Sequence, residues 1–78
     1  MDKQAREEFL KSVYQRQIIE KGRPGITAKN ENFHLYREIV NYWEGKGVLN
    51  ITTQASGFVN FELTTYGIDF VESELLRI

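Results

Sequence analysis

Catalysis needs an activated nucleophile, a metal cage or a phosphate cradle, and this 78-residue chain is poor in all three. His34 is the only histidine, cysteine is absent, and no serine sits at a recognisable strand-to-helix elbow. A catalytic triad therefore has no support, and a lone helical histidine is ordinarily a surface or capping residue. Without cysteine there is no disulfide and no thiolate metal site. The carboxylates are scattered, with no spacing that suits a metal cage or an acid/base pair. Gly22-Arg23-Pro24-Gly25 follows a helical pattern rather than a strand, so it stops a helix instead of cradling a phosphate. Tyr14, Phe33, Tyr36 and Trp43 fall on apolar helical faces and serve a core better than a base-stacking platform. The sequence predicts no enzyme, no metal and no cofactor. Its function is expected to lie in binding.

The elements that must position any binding residue follow from periodicity. Residues 2–21 carry Ala5, Phe9, Leu10, Val13, Tyr14 and Ile18 or Ile19 at spacings of three and four, which predicts an amphipathic helix with Asp2 as N-cap. Gly22 and Pro24 stop it. Thr27 is then placed to cap a short turn over 28–30, and Asn30 or Asn32 to cap a second helix at 31–44, with Phe33, Tyr36, Ile39, Val40 and Trp43 inward. Leu35 and Tyr42 widen its apolar arc, and His34, Arg37, Glu38, Asn41 and Glu44 fill the other side. Residues 48–52 and 58–63 read as strands joined by a small polar turn at 53–57, with Val59, Phe61 and Leu63 on one face and Phe58, Asn60 and Glu62 on the other. Thr64 is the N-cap of a closing helix that turns Ile68, Val71 and Leu75 inward. The expected fold class is α+β, a single domain over 1–78 built of helices and a two-stranded hairpin.

Composition narrows the setting. Apolar residues make up 41% of the chain and ten are aromatic, enough for a core, but burial only narrowly exceeds ordering entropy at this size, so a homodimer or a larger partner would help. No apolar run is long enough to span a bilayer and no signal peptide is recognisable, which makes the cytoplasm the expected location and a membrane an unexpected partner. Residues 1–46 hold nine Lys or Arg against seven Asp or Glu, whereas from Gly47 onward Arg77 stands against Glu62, Asp69, Glu72 and Glu74. That balance is not the basic excess typical of a nucleic-acid binder.

The string Tyr42-Trp43-Glu44-Gly45-Lys46-Gly47-Val48-Leu49, then a hairpin, then Leu63-Thr64-Thr65-Tyr66-Gly67-Ile68-Asp69-Phe70-Val71, resembles the carboxy-terminal half of winged-helix domains. In that family a helix ends in a glycine turn before an apolar strand, the hairpin forms the wing, and a leucine-threonine-x-x-glycine step opens the last helix. The resemblance covers a little over half of the chain. It implies a winged-helix-like fold with a hairpin wing, and double-stranded DNA binding in transcriptional regulation, with the 31–44 helix in the major groove. Asn32, His34, Arg37 and Asn41 would then contact bases or phosphates, and Arg23 and Lys29 the backbone. Two departures stand out: only residues 26–30 occupy the place of the family's middle helix, and residues 47–61 carry no charge, so the wing brings no basic residue. The alternative is a winged-helix protein-interaction module, with Phe58 as an apolar contact.

Overall fold

The structure, a computed structural model, describes residues 2–78. Helix α1 (Lys3–Tyr14) begins where Asp2 Oδ1 accepts the Ala5 amide at 2.8 Å, as an N-cap should. It runs on as a π-helical segment, Gln15–Ile19, closed by Glu20 N–H donating to the Gln15 carbonyl at 3.0 Å. Phe9, Leu10, Val13 and Tyr14 are buried, Ile18 packs on the core and Ile19 stays in solvent, which settles the choice between the two isoleucines. The chain leaves the helix through Lys21 at φ 57°, so the left-handed residue is the one before Gly22.

The segment after Pro24 departs from expectation. Gly25–Thr27 is a strand, β1, and the sheet is three-stranded rather than a two-stranded hairpin, in the antiparallel order β1-β3-β2 with β2 Leu49–Ala55 and β3 Phe58–Leu63. Ile26 lies opposite Val59 on the buried face. Proline just ahead of a short edge strand is no obstacle, because its missing N–H is not needed there. Thr27 therefore ends a strand, and its carbonyl accepts Asn30 N–H at 3.0 Å across the short turn that follows. Backbone accounting on this side of β3 is completed by two neighbours: Phe61 N–H donates to the Pro24 carbonyl at 3.2 Å, and Leu63 N–H to Gln17 Oε1 of the π segment at 2.6 Å. The hairpin turn is also shorter than the predicted 53–57. A register shift between Ile51 and Thr53 lets β2 run on to Ala55, leaving Ser56 and Gly57 as the turn.

Helix α2 (Phe33–Gly45) closes with Gly47 N–H donating to Glu44 O at 3.0 Å and Val48 N–H to Trp43 O at 2.9 Å, a Schellman end that needs the positive φ of 79° at Gly47. Helix α3 (Thr65–Phe70) continues as a π-helical segment, Val71–Leu76. Its start is locked to the start of β2: the Thr64 hydroxyl donates to Gly47 O at 2.6 Å and accepts Gly67 N–H at 2.9 Å, while Thr64 N–H donates to Val48 O at 3.0 Å. Gly67 is buried directly against the Val48 carbonyl, where a Cβ has no room.

The three helices cover the inner face of the sheet, and Val59, Phe61 and Leu63 meet Leu10, Val40 and Val71 there. Two part-buried polar groups tie the helices together. Trp43 Nε1–H donates to the Arg6 carbonyl at 3.1 Å, joining α2 to α1, and the Tyr14 hydroxyl donates to Glu72 Oε2 at 2.7 Å, joining α1 to the final turn. That carboxylate, by accepting the phenol's hydrogen bond and by its charge, together with burial, raises the Tyr14 pKa above the ordinary 10.0.

Candidate nucleic-acid interface

Helical periodicity brings three of the predicted contact residues together. His34, Arg37 and Asn41, at i, i+3 and i+7, share one face of α2, with His34 and Asn41 exposed and Arg37 half-buried. The opposite face, Phe33, Ile39, Val40 and Trp43, is held in the core, so the polar face is fixed outward. Asn32 occupies the N-cap position without capping: the bond there is from its own N–H to Asn30 Oδ1 at 2.8 Å. The Asn32 side chain is thus exposed at the helix start, with Lys29 in the turn just before it.

Arg23 is not with this group. It stands ahead of β1, between the groove that separates α1 from α2 and a cleft over the outer sheet face beside Thr53, Asn60 and Glu62. Phe58 lies elsewhere again, half-buried on the outer sheet face with Thr27 and Ala55 opposite it on the flanking strands.

Charge is distributed unevenly around these residues. The ion pairs among the described residues run along the first helix: Lys3–Glu7 at 3.9 Å, Lys11–Glu8 at 3.0 Å and Arg16–Glu20 at 3.3 Å. Arg23, Lys29 and Arg37 enter no ion pair among the described residues. Glu31, Glu38 and Glu44 are exposed in the same stretch as Lys29 and Arg37, so the unneutralised cations sit in a field that is not uniformly positive.

The hairpin cannot swing as a free wing. Ala28 N–H donates to the Gly57 carbonyl at 2.9 Å, and β1 pairs with Phe58, Val59 and Asn60, the residues just past the turn. The tip is bonded to the turn before α2. No sequence signal marked this tether, because it depends on a strand of three residues.

Among the described residues no group of three or more His, Cys, Asp or Glu is arranged around a metal position. Among the described residues no helix is long and apolar enough to cross a membrane. Comparison of the chain with protein-family models, with curated proteins and with solved structures finds no match.

Proposed function

We propose that this chain is a winged-helix-like domain that binds double-stranded DNA, as a regulator of transcription, through α2 and the turn before it. The observation that carries the proposal is the outward face of α2, where His34, Arg37 and Asn41 align, with Asn32 exposed at the helix start and with Lys29 and Arg37 entering no ion pair among the described residues. At a rise of about 1.5 Å per residue α2 is roughly 20 Å long, suited to lying in a major groove about 12 Å wide. Amide side chains supply paired donors and acceptors for base edges, and the cations supply phosphate contacts. The order strand, helix, hairpin, helix and the Leu63-Thr64-x-x-Gly67 step support the winged-helix reading.

The same charges set the strength. With Lys29 and Arg37 as the phosphate contacts, and Arg23 set apart from them, log K falls with log salt at a slope of about −1.8 per protomer, and affinity for random duplex is in the weak range of about 10⁻⁴–10⁻⁶ M. Replacing Arg37 by alanine weakens binding across sequences and makes the slope shallower by about 0.9. An Arg37→Ala protein that binds duplex as tightly as the parent, at every salt concentration, removes α2 from the interface.

A second reading, a protein-interaction module, has its own observation. Phe58 stands half-buried on an outer sheet face whose other strand residues are Gly25, Thr27, Asn50, Thr53, Ala55, Asn60 and Glu62, nearly free of charge. Such a surface suits a protein better than phosphate.

A further inference from the structure

We propose that the groove between α1 and α2 is a homodimer interface, in which α1 packs antiparallel against α1 of a second copy about a two-fold axis at Ser12. The groove has a volume of ≈ 720 Å³ and opens to solvent beside Tyr36 and Leu35, over a floor that includes the buried Phe9 and Ile39. Leu35 is 41% exposed on its α2 wall although every neighbouring apolar residue of the groove is at least partly buried. Ser12 is small and its hydroxyl already donates to the Phe9 carbonyl at 2.6 Å, so a helix can approach closely there without orphaning a polar group.

Charge selects the occupant. Glu8 and Arg16 both line the groove, one four residues before Ser12 and the other four after it. An isologous contact sets each residue against the one equally far on the other side of the axis, so Glu8 meets Arg16 of the partner, twice per dimer. Within one chain the two are paired on their own helix, Glu8 with Lys11 and Arg16 with Glu20. Those pairs are exposed and contribute little, so they join the cross-helix contacts at small cost. The surface is complementary to itself, which an unrelated partner has no reason to match. This inference stands independently of DNA binding, since it uses none of the α2 residues assigned to that role.

The test is sedimentation equilibrium of the full chain from micromolar to millimolar concentration, on the parent, Glu8→Arg, Arg16→Glu and the double variant, with circular dichroism as a check on folding. The expected result is a reversible dimer, weakened about tenfold or more by each single reversal and restored by the double one. The double variant keeps both unfavourable neighbours on its own helix, Lys11 and Glu20, so its recovery reports the cross-helix pair alone. Leu35→Asp, on the other wall, should also dissociate the dimer while the fold is kept. A parent that is monomeric throughout, single reversals that leave the dimer intact, or a double variant that stays dissociated each overturn the proposal.

Discussion

An alanine at position 67 would gain about 1 kcal/mol of helix propensity over glycine, yet its methyl group would run into the Val48 carbonyl. That oxygen cannot easily give way, because Thr64 N–H donates to it at 3.0 Å. Overpacking of this kind costs about 1–3 kcal/mol and here exceeds the propensity gain. Gly67→Ala should therefore lower thermal stability, by roughly 4–8 °C for each kcal/mol lost in a domain of this size; an unchanged or higher melting temperature would show that the junction relaxes. Tyr14 gives a pH signature. Its folded pKa lies above the ordinary value because Glu72 accepts its proton in a hydrogen bond, so the fold favours the neutral phenol. The resulting stability is complete below the unfolded pKa of about 10 and is lost as pH rises through the folded value. Urea midpoints should fall more steeply above about pH 10 for the parent than for Tyr14→Phe, and equal slopes would contradict the assignment.

At the scale of elements, what repeats over many residues was legible and what depends on partners was not. The 3.6-residue period placed α1 and α2 and the shared face of His34, Arg37 and Asn41, and alternation placed β3 with Val59, Phe61 and Leu63 inward. β1 is three residues long, too short for any period, and exists because β3 offers an unpaired edge. The extension of β2 to Ala55 rests on the irregularity after Ile51, and the π segment that aims Gln17 at Leu63 leaves no mark in composition. Asp2 and Thr64 were readable as caps because a short oxygen-bearing side chain ahead of an apolar period has few other uses. Asn32 was not, since Asn30 takes the local bond. Phe58 can now be tested as an element-level question. Half-buried on the outer face, its replacement by serine should cost about 1 kcal/mol in urea unfolding, well under the 3–5 kcal/mol of a core phenylalanine truncation. A loss in the larger range would make it core and remove it as a contact.

At the scale of the whole molecule, a domain of 35 × 27 × 20 Å has little surface to divide among roles. The outward face of α2, the groove between α1 and α2 and the outer sheet face are separate regions, so a dimer formed through the groove leaves the α2 contact residues open. Two weak DNA contacts joined in one dimer would add in avidity without any new residue, which offsets the modest charge of each protomer. The hairpin, tied to the turn by Ala28 and bare of Lys and Arg, offers no cationic side chain to phosphate. Duplex-DNA titration across a series of salt concentrations is the most direct measurement of the central claim. Binding through Lys29 and Arg37 predicts a linear fall of log K with log salt at a slope of about −1.8 for one protomer and about twice that for a dimer. Absence of detectable binding to any duplex at low salt would contradict it.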